Sequence, residues 1–494
     1  MNVVFVASEA VPFSKTGGLA DVAGALPRAI ARRGHAISVF IPAHRTVWNS
    51  HQPIRDTGLR LSIPVGARTI EARIHESRLP GSEAAVYLVD QPAYFDRPGL
   101  YGAGGVDYDD NCERFVFFNR AVLAAVESLK LRPDVIHCND WQTGLIPVYL
   151  KTQPHRFDGL AGAGTLFTIH NLAYLGLFRH WEMALTGLEW RLFNWHELEY
   201  HGMLSFMKAG LVFTDMIGAV SPTYAREIQT QKLGSGLDDL LRLRAADLRG
   251  IVNGIDPETW SPTREPMIAL PYDIETVGPG KAACKAWLQH RVGLAERPDV
   301  PLLAQIGRLD PQKGWDLLAA VAERLLERDV QLLVLGEGHP KYHELLQDMV
   351  RRHPDRVWAY LGFSEDLAHQ IEAGADIFLM PSLFEPCGLN QLYSLAHGTA
   401  PVVRATGGLA DTVVDADAAS LASGTATGFV FQDPTPGALW SALERALSLY
   451  GDRPAWMRLV RAGMSGDWSW DRGARQYEQV YQEIQHKATA RASS

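Results

Sequence analysis

The stretch Ser14–Ile30, SKTGGLADVAGALPRAI, follows the apolar run MNVVFVASEAVPF, and its T-G-G-L-A-D returns as RATGGLADTVV at Arg404–Val414. In both places a strand-like segment turns through paired glycines into a helix-forming segment, which is the grammar of a βα unit. Working outward, the same alternation fills the chain. Val3–Ala7 reads as a buried strand, Leu19–Arg33 as a helix, and His35–Ile41 and Ala84–Val89 as further strands. Asn111–Leu131 has helical spacing, PDVIHCNDW is a strand with a polar end, and Thr143–Lys151 is again helical. GTLFTIHN and LRGIVNGID close the first series.

Gly254–Gly280 interrupts this rhythm with prolines and little periodicity, as an interdomain connection does. The alternation then restarts with PLLAQIG, a helix over Gly314–Arg328, VQLLVLG, RVWAYLG and DIFLMPS. A helix in GLNQLYSLAHG ends at Gly398, followed by the strands APVVRAT and TGFVFQ. Strands alternating with helices specify parallel, doubly wound sheets. The expected fold class is therefore α/β, with two Rossmann-like domains over residues 1–255 and 256–470. The periodicity of the last helical stretch, from Asp471 onward, leaves open which domain it joins.

Composition narrows the function. The 494 residues are 47% hydrophobic and 21% charged, within the usual range for a globular enzyme. A net charge of -9 without a basic stripe argues against nucleic acid as a partner. No apolar run approaches the ~20 residues of a membrane span. The first apolar run breaks at Ser8-Glu9 and has no basic segment before it, so the expected location is the cytoplasm. Cys112, Cys138, Cys284 and Cys387 are scattered, which suggests neither a zinc cage nor a disulfide framework.

In open α/β sheets ligands bind beyond the carboxyl ends of the strands, so the residues just after each strand carry the functional expectation. Gly17 and Gly18 allow close backbone approach, the helix start offers unpaired N–H groups to an anion, and Lys15 adds a charge. Thr406, Gly407 and Gly408 repeat that arrangement. Asp21 and Asp411 fall in the first helical turn, where a carboxylate complements the helix dipole. In IGRLDPQKGWD, Arg308 and Lys313 share one loop and together suit a diphosphate without a metal. PSLFEPCGLNQLY places Glu385 after a strand, as a partner for sugar hydroxyls, a support for a leaving group, a nucleophile or a capping carboxylate. His170-Asn171 and Asp140-Trp141 end two other strands, and Asn253 sits in a V-N-G-I-D turn.

Other signals fail. Asp107-Tyr108-Asp109 has a metal-transferase spelling but precedes a helix and reads as a cap region. LGEGHPK lacks the third glycine of a dinucleotide fingerprint, and no G-x-S-x-G elbow occurs.

SKTGGLADV, HCNDW, FTIHNLAYLG, GRLDPQKG, PSLFEPCGLNQLY and RATGGLADTV stand in the order found in bacterial glycogen synthases and plant starch synthases, which the chain resembles from its first strand to about residue 415. The resemblance implies a GT-B arrangement, in which two Rossmann-like domains face a central cleft and the C-terminal helix, 471–494, returns to the N-terminal domain. It implies transfer of glucose from ADP-glucose to the non-reducing end of an α-1,4-glucan, with retention, release of ADP and no metal or other cofactor. The N-terminal domain would serve the acceptor and the C-terminal domain the nucleotide sugar.

Carried over, Glu385, Arg308, Lys313, His170 and Asp140 would be catalytic. Lys15, Gly18, Asn253, Gly362, Phe363, Cys387, Gly388, Leu389, Thr406, Gly407 and Gly408 would bind the donor. Glu9, Asp21 and Asn171 would support the acceptor or a helix start. Two positions depart from related retaining transferases: Tyr393 stands eight residues after Glu385 where many carry a second glutamate, and Phe363 replaces a base-stacking tyrosine. A different nucleotide donor, a non-catalytic glucan-binding protein and a phosphorylase are the rival readings. The oligomeric state stays open.

Overall fold

The structure, a computed structural model, describes residues 1–160 and 162–492. The chain divides into two units, Met1–Asn253 with Trp470–Ser494, and Gly254–Ser469.

The first unit is built on β1 (Asn2–Val6), β2 (Ala36–Pro42), β3 (Arg55–Val65), β4 (Arg68–Arg78), β5 (Ala85–Asp90), β6 (Val135–Asn139), β7 (Gly164–Ile169), β8 (Met216–Ala219) and β9 (Leu248–Gly250). They form one sheet in the order β9-β8-β7-β6-β1-β2-β5-β4-β3. β1 pairs in parallel with β2 on one side and β6 on the other, with Val3 opposite both Ile37 and Val135. The direction of winding therefore reverses at β1, making the gap between β1 and β6 the topological switch point.

β3 and β4 form an antiparallel hairpin extending the sheet past β5. Sequence periodicity marks no strand between Ile41 and Ala84. This hairpin is solvated on one face, so its alternating apolar residues carry a weaker signal than the continuous runs of the buried strands.

The second unit repeats the plan with β10 (Leu302–Ile306), β11 (Gln331–Gly336), β12 (Val357–Leu361), β13 (Ile377–Met380), β14 (Ala400–Arg404) and β15 (Phe429–Phe431). Its order is β12-β11-β10-β13-β14-β15, parallel throughout, and the switch point lies between β10 and β13. Alternate residues of these strands feed two apolar layers. Leu303, Leu332, Ile377 and Val402 enter one, and Leu302, Leu333, Phe378 and Val403 the other. Burial on both faces is why these strands read as unbroken apolar runs.

Five helices follow the functional loops or close the first unit: α1 (Gly18–Arg32), α2 (Trp315–Leu326), α3 (Asn390–Ala396), α4 (Gly407–Thr412) and α5 (Trp470–Ala492). α5 belongs to the first unit, where Trp470, Tyr477, Tyr481 and Ile484 bury among Val3, Phe5, Val135 and Leu166. Tyr481 Oη lies 2.9 Å from His137 Nδ1, and Arg249 pairs with Glu483 at 2.8 Å. Burial of four large side chains at about 1.5–3 kcal/mol each decides the docking that periodicity left open. The end of the expected helix at residues 493 and 494 lies outside the described residues.

Candidate active site

Each switch point carries a cluster of the residues that the sequence singles out. In the first unit, β1 leads to Glu9, β6 to Asp140 and β7 to His170. Glu9 is buried, and its carboxylate accepts from the Thr16 amide and from Thr16 Oγ1 at 3.0 Å. That contact folds the S-K-T-G-G loop back over the end of β1. Burial pushes Glu9 up to about 7 against the lowering effect of these hydrogen bonds, with the Asp21 charge adding a small rise.

Asp140 Oδ1 accepts from the amide of His170 at 2.7 Å and, more distantly, from that of Asn171 at 3.4 Å. Burial likewise pushes Asp140 up to about 7, reinforced by the negative charge of Glu9. Its backbone is held at φ 58°, a left-handed conformation that a non-glycine residue adopts at a cost of about 1–3 kcal/mol. The strain turns the carboxylate onto the end of β7.

His170 Nε2 lies 2.9 Å from Asn139 Oδ1, and Asn139 Nδ2 donates to the Val6 carbonyl at 3.0 Å. With its amide orientation fixed in this way, Asn139 presents an acceptor, so His170 carries its proton on Nε2 and leaves Nδ1 as an acceptor. Burial pushes His170 down to about 3, so it is a neutral imidazole at physiological pH. Asn171 Oδ1 accepts from the Ala173 amide at 3.0 Å, shaping the loop that follows.

Lys15 Nζ pairs with Asp21 Oδ1 at 2.9 Å, tying the glycine loop to the first turn of α1. Gly17 caps α1, Gly18 opens it, and no side chain caps this end. Asn253 is buried at the end of the unit, its Oδ1 without a hydrogen-bond partner among the described residues. Nothing in the sequence marks Tyr101, whose hydroxyl lies 2.7 Å from Ser8 Oγ and whose ionisation both Glu9 and Asp140 oppose. It comes from an irregular Gly-rich segment with no periodicity to mark it.

In the second unit, β10 leads to Arg308 and Lys313, and β13 to Glu385. Lys313 Nζ lies 2.6 Å from Glu385 Oε2, which also accepts from Ser382 Oγ at 3.1 Å. Glu385 is thus ion-paired and does not cap α3, whose N-cap is Leu389. Arg308 is more exposed, bonded to Asp310 at 2.8 Å and to Gln312 Oε1 at 3.0 Å. Gly314 closes the Lys313 loop at φ 75°, where a Cβ would sit 2.0 Å from the Pro381 carbonyl oxygen. The β10 and β13 loops therefore pack backbone to backbone.

The second T-G-G-L-A-D locks onto the same place. A Cβ on Gly407 would lie 1.9 Å from the Glu385 carbonyl oxygen, and one on Gly408 would lie 2.1 Å from that of Cys387. The Gly408 amide donates to the Pro386 carbonyl at 3.1 Å. This amide is committed to the Glu385 loop, whereas the sequence reading offered it to a phosphate. Thr406 caps α4 through its backbone conformation alone.

Gly388 turns at φ 73° and Cys387 is buried, and Gln391 Nε2 donates to both of their carbonyls at 3.1 Å. Arg404 Nε donates to the Ser382 carbonyl at 2.8 Å, a support that sequence alone did not reveal. Beyond β12, the Gly362 amide donates to the Gly336 carbonyl at 3.0 Å, and Phe363 projects with 74% of its surface exposed.

Two Rossmann-like units, each with polar side chains at its switch point, are an architecture shared with the glycosyltransferases of the GT-B class. Residues 2–243 match the starch synthase catalytic domain family and residues 289–459 the glycosyl transferases group 1 family. The chain is 50% identical to a glycogen synthase of Anaeromyxobacter sp. (strain Fw109-5), covering 98% of this chain and 99% of that protein. It is 45% identical to a glycogen synthase of Rhodopirellula baltica, covering 97% of each. The catalytic domain of starch synthase IV from Arabidopsis thaliana, solved bound to ADP and acarbose, superposes with a TM-score of 0.90 at 31% identity, over 98% of this chain and 99% of that one. The chain belongs to the glycogen synthase and starch synthase family of retaining glycosyltransferases. No helix among the described residues is long and apolar enough to cross a membrane.

Proposed function

We propose that the protein transfers glucose from ADP-glucose to the non-reducing end of an α-1,4-glucan, with retention and release of ADP, in the cytoplasm. The observation that carries this reading is the Lys313–Glu385 pair at 2.6 Å at the second switch point, with Arg308 on the same loop. The second unit serves the nucleotide sugar and the first serves the glucan.

Lys313 and Arg308 compensate the charge that builds on the departing diphosphate, as fixed cations do in a partly desolvated site. Glu385 meets the glucose hydroxyls, with the backbone of Cys387, Gly388 and Leu389 beside it, and Phe363 stacks on the base. Its bonds to Lys313 and Ser382 draw electron density from the carboxylate and weaken it as a nucleophile. This favours front-face attack, with the leaving phosphate taking the acceptor proton and no covalent glucosyl-enzyme. Neutral His170 offers Nδ1 to a sugar hydroxyl, and Asp140 accepts from donor or acceptor hydroxyls. Lys15 and the Gly18 amide contribute from the first unit, and no metal or other cofactor is required.

The deciding experiment is turnover on glycogen with ADP-glucose against UDP-glucose, in buffer with and without EDTA. Preference for ADP-glucose, insensitive to EDTA, is the expected outcome. Absence of nucleoside diphosphate release with either donor would overturn the reading.

A further inference from the structure

The sheet of the second unit ends at β12, Val357–Leu361, which pairs with β11 on one side and with no strand on the other among the described residues. In a parallel ladder alternate residues of a strand bond its neighbour. Leu332 donates its amide to the Arg356 carbonyl at 2.8 Å and Gly362 donates to that of Gly336 at 3.0 Å, so the even-numbered residues face β11. Ala359 and Leu361 therefore turn their N–H and C=O groups outward along an open edge. Such edges are ordinarily blunted by charges, proline or a bulge. VWAYL contains no charge and no proline, and its register with β11 runs unbroken from Val357 to Leu361.

Both faces beside this edge are apolar. On one, Trp358 and Tyr360 stack with ring centroids 6.3 Å apart at 19°, and Tyr360 is exposed. On the other, Ala359 and Leu361 join Val350 of the helix Pro340–Arg352 in lining a groove of about 470 Å³. The remaining groove residues, Glu344, Gln347 and Arg351, lie along one stripe of that helix. Carboxylate and guanidinium are thus two turns apart, about 10 Å. A two-fold axis at Ala359 lays a second β12 antiparallel to the first and reverses the second helix. Glu344 of each copy then faces Arg351 of the other, the self-complementarity that an isologous contact requires. Arg351 contacts Asp348 at 3.0 Å, but Asp348 also holds Arg352 at 2.8 Å, so turning Arg351 to a new partner leaves no carboxylate bare. A foreign strand matches the backbone edge equally well; a copy of this chain also brings the reversed charges.

We propose that the protein forms a two-fold dimer through this edge, joining the six-stranded sheets of two copies into one continuous sheet. One strand and one helix flank from each copy make a small interface, so dissociation in the micromolar range is expected.

The test is sedimentation velocity of the full chain at concentrations from about 1 to 100 µM, a range that brackets a micromolar Kd. Wild type is expected to pass with rising concentration from 54.6 kDa to twice that mass. Ala359→Pro removes an N–H that the β11 ladder does not use, so it is expected to keep the fold, checked by circular dichroism, and to stay at 54.6 kDa. Arg351→Glu sets like charges opposite each other and is expected to raise the dimer Kd about tenfold. Combining it with Glu344→Arg reverses the pair and is expected to recover the wild-type Kd. Wild type that stays monomeric throughout, or a dimer that a folded Ala359→Pro leaves intact, would overturn the proposal. If Ala359→Pro does not fold, the charge variants decide alone. Weakening in the single variant with recovery in the double supports the dimer, and any other pattern sinks it.

Discussion

In the first T-G-G-L-A-D segment, a Cβ added to Gly17 would meet Glu9 Oε1 at 3.9 Å, an ordinary van der Waals separation. In the second, the same addition at Gly407 would fall 1.9 Å from the Glu385 carbonyl oxygen, on backbone already held at φ 45°. The helices differ too: α1 runs 15 residues and α4 only six. One copy leaves space over a buried carboxylate, and the other is a tight joint that holds Glu385 in place. Identical letters thus serve two physical ends. In the first the glycine keeps a loop open, and in the second it lets two backbones touch.

The sharpest way to break this contrast is at the joint's chemical product. Lys313→Ala removes the ion-pair partner of Glu385 and the cation proposed to face the leaving group, and kcat is expected to fall about 10²–10³-fold with folding intact. A near-normal kcat would detach the second segment from the chemistry. Next comes the joint itself. Gly407→Ala is expected to cost about 2–4 kcal/mol of stability, from the left-handed backbone and the clash together, measured by thermal or denaturant unfolding. Gly17→Ala is expected to stay within about 0.5 kcal/mol of wild type. Equal losses in the two variants would erase the distinction.

A third measurement addresses the carboxylates beside the open copy. Glu9 and Asp140 are both raised to about 7, above ordinary carboxylate values near 4. The folded state therefore holds their protons more tightly than the unfolded state does. Their contribution to stability is present below about pH 4 and is lost as pH rises to about 7, on the order of 3 kcal/mol for either group alone. Wild type is expected to lose stability between pH 4 and pH 7, and Glu9→Gln to flatten that slope. An identical slope in the variant would show that Glu9 titrates normally. The smallest effect on catalysis is expected at Phe363. Phe363→Ala should raise the ADP-glucose KM by about fivefold to tenfold, the size of one exposed stacking contact, with little change in kcat.

Much of this was legible in the sequence for a physical reason. A strand buried on both faces must be apolar throughout, so PLLAQIG and DIFLMPS announce themselves, and the polar residues just after them mark the strand ends where ligands bind. That is how Arg308, Lys313, Glu385, Asp140 and His170 stood out. The hairpin over Arg55–Arg78 escaped because one of its faces is solvated, and Tyr101 escaped because irregular backbone has no period.

Sequence alone determined the order of strands and helices and the residue types at their carboxyl ends, because burial and backbone propensity act locally and leave a periodic trace. Only the tertiary structure decided which ends become neighbours. The Lys313–Glu385 contact spans 72 residues and exists because strand order reverses between β10 and β13, and the Asp140–His170 contact spans 30 and joins the ends of the paired strands β6 and β7. It also decided that Gly408 spends its amide on Pro386 and that Glu9 and Asp140 retain protons near neutral pH. Hydrogen-bond partners and desolvation belong to the packed environment, which no short string of residues contains.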